Sequence, residues 1–107
     1  MPTIILLESA RGEAYVEKFI RTLEPVTVAK ILRTLDLLEK HGSALGMPHS
    51  KSLGKGLFEL RVRGIREIRI FYAFAKRDIC LLHAFQKKTQ QTPRKEVELA
   101  RKRLDSV

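Results

Sequence analysis

The sequence predicts an α+β fold: a small, twisted, mainly antiparallel sheet with an N-terminal helical hairpin and a C-terminal helix. Three observations lead there. Apolar residues recur at helical spacing in two segments before Gly42 and alternate with polar residues after Gly56, and Thr92-Pro93 opens a last amphipathic segment. The implied order is β-α-α-β-β-β-α, with the helices packed on one face of the sheet and residues 1–107 forming one domain.

Thr3–Glu8 is a short β-rich run and reads as the first strand. Across Arg11–Leu23, the residues Tyr15, Val16, Phe19, Ile20 and Leu23 keep helical spacing until Pro25 punctuates the chain. Val28, Ile31, Leu32, Leu35 and Leu38 mark a second helix, which Gly42 suits as an exit. The short gap between the two helices favours an antiparallel pair. Ser43–Gly56 reads as a loop, with Gly46, Pro48, Gly54 and Gly56. In LFELRVR, Phe58, Leu60 and Val62 alternate with Glu59, Arg61 and Arg63, and REIRIFYAFA repeats the alternation through Ile68, Ile70, Tyr72 and Phe74. Gly64 turns the chain between these strands. DICLLHAF is apolar enough for a central strand covered on both faces. Thr92 as N-cap and Pro93 at the first helical position would start the last helix, where Val97, Ala100 and Leu104 form a narrow apolar stripe.

Composition removes several classes. With 44% hydrophobic and 31% charged residues, the chain is globular in character. Its longest apolar runs, Ile4–Leu7 and Ile70–Ala75, are far too short to span a bilayer. MPTIILLES lacks a basic leader region and meets Glu8 early, so a signal peptide is not expected. The one cysteine, Cys80, reads as a small core residue and argues for no disulfide framework. The expected location is the cytoplasm, with no membrane association.

Charge points to a partner. Residues 1–50 balance six Lys/Arg against six Asp/Glu, whereas residues 51–107 carry 15 against six, so the whole net charge of +9 lies in the second half. Such asymmetry suggests a surface that meets a polyanion, nucleic acid foremost. Strand parity focuses the charge. If Leu60 and Val62 face the helices, Arg61 and Arg63 face away, and Arg69 on the next strand joins them on an open concave face. Guanidinium matches phosphate bidentately, so phosphate is the favoured anion. Lys87 and Lys88 end the third strand at the edge of that face. Arg94 and Lys95 follow in the first turn of the last helix, and Lys51 and Lys55 could close the other side from the loop.

Among the histidines, His41 reads as a helix C-terminal dipole partner and His49 as an exposed loop residue. His83 lies on an apolar strand near the basic cluster, where two readings stay open: a hydrogen-bonded structural role, or proton transfer. Glu59 and Glu67 read as partners of the neighbouring arginines. No metal-ligand spacing, phosphate loop or nucleophile arrangement occurs, so no cofactor or metal is expected.

KSLGKGLFELRVR, REIRIFY and, most specifically, LLHAFQKKTQQTPRKEVELARKRL resemble the phage-derived HigB-like branch of the RelE/ParE toxin superfamily. The resemblance runs from Ile4 to Leu104 and is specific from Lys51 onward. It implies a RelE-like fold and the toxin of a type II toxin–antitoxin pair. The implied partners are a helix-turn-helix antitoxin, the ribosome and mRNA, with operator DNA as a further ligand of the toxin–antitoxin complex. The implied activity is ribosome-dependent mRNA cleavage that inhibits translation, by attack of a 2′-OH on its own 3′ phosphate without a metal. Arg61 and Arg69 fall where such toxins carry cleft cations, and Lys88 matches a further basic position. His83 is the candidate in place of the family's last-helix tyrosine, absent here after Tyr72. Arg63, Lys51, Lys55, Lys87, Arg94 and Lys95 are the implied RNA contacts. The alternatives are a ParE-like gyrase inhibitor, or a catalytically inactive phage-derived domain that binds RNA or protein.

Overall fold

A computed structural model describes residues 2–107. The order is β1 (Ile4–Leu6), α1 (Tyr15–Ile20), α2 (Pro25–His41), β2 (Ser50–Gly54), β3 (Leu57–Val62), β4 (Ile68–Ala75), β5 (Asp78–Gln86) and α3 (Arg94–Leu104), with one 3-10 turn, Gly42–Ala44, after α2. The five strands form one sheet in the order β1-β5-β4-β3-β2. Only β1 and β5 run parallel; β2–β3, β3–β4 and β4–β5 are antiparallel. The small α+β fold expected from the sequence is therefore the observed one.

Local chemistry explains most boundaries. Pro25 sits in the first turn of α2, where its missing N–H costs nothing, and Gly42 closes that helix at φ 53°. α1 is shorter than its periodicity suggests, because the Ser9 hydroxyl accepts the amides of Arg11 and Glu13 and folds that stretch into a turn. The supposed loop Ser43–Gly56 contains an edge strand, β2, whose SKSLG sequence has little β-propensity. It is held by its ladder to β3 and by a hairpin turn with Lys55 (φ 51°) and Gly56 (φ 82°) at its tip.

The helices divide between the two faces, contrary to the one-sided packing expected. On the first face, Val16, Ile31, Leu35 and Leu38 of α1 and α2 pack with Leu60, Val62, Ile70, Tyr72, Ile79 and Leu81. There the Tyr72 hydroxyl shares a buried hydrogen bond with Ser50. On the second face Ala100, Val97 and Leu104 of α3 cover Leu57, Phe71, Ala73, Cys80, Leu82 and Phe85. A bulge in β5 supports this second core. Phe71 pairs with His83 and Tyr72 with Leu81, leaving Leu82 as the surplus residue. Leu82 and His83 therefore both serve the α3 face, where Leu82 is buried and the His83 ring lies 6.2 Å from that of Phe71. Leu57, Phe71 and Leu82 beneath α3 are fully buried, at roughly 1.5–3 kcal/mol for each such large apolar side chain, and this holds the helix docked. Among the described residues no helix is long and apolar enough to cross a membrane.

Candidate nucleic-acid interface

The second sheet face carries the cations. Arg61 and Arg69 are direct cross-strand partners, so the expectation that they share a face holds. The openness of that face does not. Arg69 is 3% exposed, and its Nη1 donates to Glu67 Oε2 at 2.8 Å. Arg61 retains 17% side-chain exposure and donates from Nε to Glu59 Oε1 at 3.1 Å, while Arg69 Nε lies 3.8 Å from that same oxygen. Glu59, itself 2% exposed, also accepts the Thr92 hydroxyl at 3.0 Å. Two arginines and two carboxylates thus form a network of zero formal charge. The physical reason is desolvation. α3 and the segment before it roof this face, and a guanidinium buried without a carboxylate would cost several kcal/mol. Arg69 Nε still lacks a hydrogen-bond partner among the described residues. Thr92, expected as the N-cap, spends its hydroxyl on Glu59, and α3 begins at Arg94 without a side-chain cap.

Other cations line two cavities. A cleft of about 390 Å³ at the ends of β3, β4 and β5 is lined by Arg63, Glu67, Arg69, Lys87, Lys88, Thr89 and Gln90. The Lys87 amide donates to the Glu67 carbonyl at 2.7 Å, extending the strand pairing and holding both lysines beside Arg63. Arg61 opens instead onto a pocket of about 240 Å³ against α2. Arg63 lines both and joins them.

Four expected contacts lie elsewhere. Lys51 stands exposed on edge strand β2 opposite Glu59. Lys55 occupies the β2–β3 hairpin tip, about 20 Å from Arg63 by the length of β3. Arg94 and Lys95 are exposed on the first turn of α3, and neither lines the cleft. His83 also stays out of the cleft. Its Nδ1 accepts Arg103 Nη1 at 3.2 Å, which leaves the proton on Nε2 for Glu96 Oε1 at 2.9 Å. Burial holds the imidazole pKa below its ordinary value, against the pull of Glu96. Clamped at both nitrogens, the ring docks α3 on the sheet and lies apart from the cleft.

Two of the basic residues in α3 are likewise structural. Arg101 donates to the carbonyls of Leu53 (2.8 Å) and Gly54 (3.2 Å), fastening α3 to the hairpin. Arg103 donates to Leu82 O at 3.0 Å and lies 3.5 Å over the Tyr15 ring. Sequence reading missed Lys30 and Arg33 of α2, which line the pocket with Arg61. Their signal was present, since Lys30, Arg33, Thr34 and Leu37 recur at i, i+3, i+4 and i+7 and share one helix face.

No curated protein matches this sequence. A family model described as Phage derived protein Gp49-like (DUF891) matches residues 18–105, which takes in α2, the antiparallel strands, the Arg63–Lys88 cleft and α3. The chain belongs to the phage-derived Gp49-like protein family.

Proposed function

We propose that this protein is the toxin of a type II toxin–antitoxin pair and acts as a ribosome-dependent mRNA endonuclease. Family membership supports the class, Gp49-like proteins being RelE/HigB-like in kind. The observation that carries the chemistry is the cleft in which Arg63, Lys87 and Lys88 stand around Glu67. In the reaction, the 2′-OH of a bound ribonucleotide attacks its own 3′ phosphorus and the bond to the next nucleotide's 5′ oxygen breaks. A 2′,3′-cyclic phosphate and a 5′-hydroxyl result, with one proton moved from the 2′ to the 5′ oxygen. Lys87, Lys88 and Arg63 oppose the extra negative charge of the pentavalent state, as fixed cations in a partly enclosed site do. Glu67, a carboxylate with 43% side-chain exposure in that cleft, takes the 2′ proton, and a lysine ammonium returns one to the leaving oxygen. Arg69 acts through Glu67, as a positioning residue.

The neutralised Arg61–Arg69 pair favours a second reading, a binder of RNA or protein without nuclease activity, including a gyrase inhibitor. Expression without the neighbouring antitoxin separates the two. Growth arrest with cut ribosome-bound messages, lost in Lys87→Ala/Lys88→Ala, supports the nuclease. Arrest with intact messages and inhibited supercoiling selects gyrase, and RNA binding without arrest selects the inactive domain. An acidic, helix-forming antitoxin segment is the complementary partner for such a surface.

A further inference from the structure

We propose that the pocket between α2 and the end of β3 is a second nucleotide subsite, which takes the single-stranded RNA as it leaves the cleft. The inference rests on the RNA reading above and extends it to residues outside the cleft. The walls come from three parts of the chain: Lys30, Arg33, Thr34 and Leu37 of α2, Pro48 and His49 before β2, and Arg61 and Arg63 of β3 and its end. Four of these are cations, and no carboxylate among the described residues lines the pocket. The cleft, by contrast, contains Glu67.

The cations are set for an anion rather than for one another. Lys30 Nζ donates to the Arg63 carbonyl at 2.9 Å, which ties the α2 wall to the β3 wall. Its stem lies over Gly64, where an added Cβ would come within 3.0 Å of Lys30 Cδ. Arg61 uses Nε on Glu59, and its Nη1 lies 3.8 Å from the Met47 sulfur, a weak partner that a phosphate would readily replace. Arg33 and Arg63 are exposed and form no ion pair among the described residues. Leu37 and Pro48 add an apolar wall beside the cations, and a positively charged groove of this kind tracks a phosphate backbone.

RNA is favoured over an acidic peptide because Arg63 lines the pocket and the cleft alike. A ligand with regularly spaced phosphates can occupy both at once, with Arg63 between two of them. Planar guanidiniums also match phosphate oxygens in pairs.

The test measures anisotropy with a short single-stranded RNA made uncleavable by 2′-O-methylation, across a salt series. Arg33→Ala, an exposed helix substitution with little effect on folding, is expected to weaken binding about tenfold and to lower the salt slope by roughly 0.7. Arg33→Glu should weaken it further. If Arg33→Ala and Arg33→Glu bind like the parent while Lys87→Ala/Lys88→Ala weakens binding, the second subsite is overturned and the cleft reading stands. If the parent binds no RNA, the subsite is overturned, while the cleft reading stands or falls by cleavage of ribosome-bound message. If Arg33→Ala leaves RNA binding intact but abolishes binding of a polyglutamate peptide, the pocket belongs to a protein partner and the subsite is likewise overturned.

Discussion

Arg61 and Arg69 stand directly opposite each other across β3 and β4 and turn toward the same oxygen of Glu59, at 3.1 and 3.8 Å. Cross-strand like charges repel unless something stands between them. Here it is a carboxylate buried with them. Glu59→Gln keeps the shape and removes the charge, leaving two guanidiniums under α3 with only Glu67 to balance them. The expected loss is about 3 kcal/mol of unfolding free energy, read by chemical denaturation. A loss under about 0.5 kcal/mol would mean that water already reaches the pair.

Arg69→Ala follows from the same relationship. It removes a buried cation, leaves Glu67 without its arginine and leaves Glu59 to Arg61 and Thr92, so destabilisation of about 3 kcal/mol is expected with any loss of toxicity. Toxicity must therefore be compared with the folded amount in the cell.

Lys87→Ala/Lys88→Ala is the cleaner probe of chemistry. Lys88 is exposed and Lys87 half-buried, neither forms an ion pair among the described residues, and the strand pairing runs through backbone atoms. The melting temperature should stay nearly constant, while single-turnover cleavage of ribosome-bound message falls by roughly 10²–10³-fold. Full cleavage by the double variant would remove the cleft from the reaction.

His83 gives a pH signature of folding. Its folded pKa lies below the ordinary 6.5 because burial disfavours the charged ring. The unfolded chain therefore binds more protons in that range, and stability rises with pH. The contribution is complete above about pH 6.5 and declines as pH falls from there toward the folded value. Glu96 and Arg103 face the two ring nitrogens. His83→Gln should flatten the stability profile between neutral pH and the folded pKa, measured by urea unfolding. Cleavage by the folded fraction should persist.

Glu24 acts at lower pH. Its bonds from Arg66 Nε, at 2.8 and 2.9 Å, and from the Thr27 hydroxyl hold its pKa down to about 2. A depressed carboxylate contributes stability above its unfolded pKa of 4.5, lost as pH falls toward 2. The stability gap between the parent and Glu24→Gln should be constant above pH 4.5 and close below it. A gap unchanged down to pH 2 would contradict the pairing.

Much of the fold was legible because alternation and helical spacing are strong where one face is buried. Phe58–Val62 and Ile68–Phe74 lie as their periods predict, as do Ile31, Leu35 and Leu38, whereas Leu32 of the same expected stripe is 54% exposed. β2 was invisible because an edge strand held by one neighbour needs no apolar pattern of its own. The placement of α3 on the second face was hidden for a related reason, since Ala100, Val97 and Leu104 make too thin a stripe to say which side they cover. Parity gave the shared face of Arg61 and Arg69 but not their burial. That depends on α3 and on Glu59, whose position opposite Phe71 makes it a core residue. His83 was ambiguous in sequence because its partners, Glu96 and Arg103, lie one helix away.

The surplus residue of β5 has an implication for how this chain tolerates change in length. Because Leu82 and His83 both point toward α3, excising Leu82 would let the ladder close evenly without reversing any side chain further along the strand. Lys87 and Lys88 would still emerge where they do now, and only filled volume beneath the last helix would be lost. An indel at that one position is thus a packing event, whereas the same change at Ile70 would turn the interior of the sheet outward.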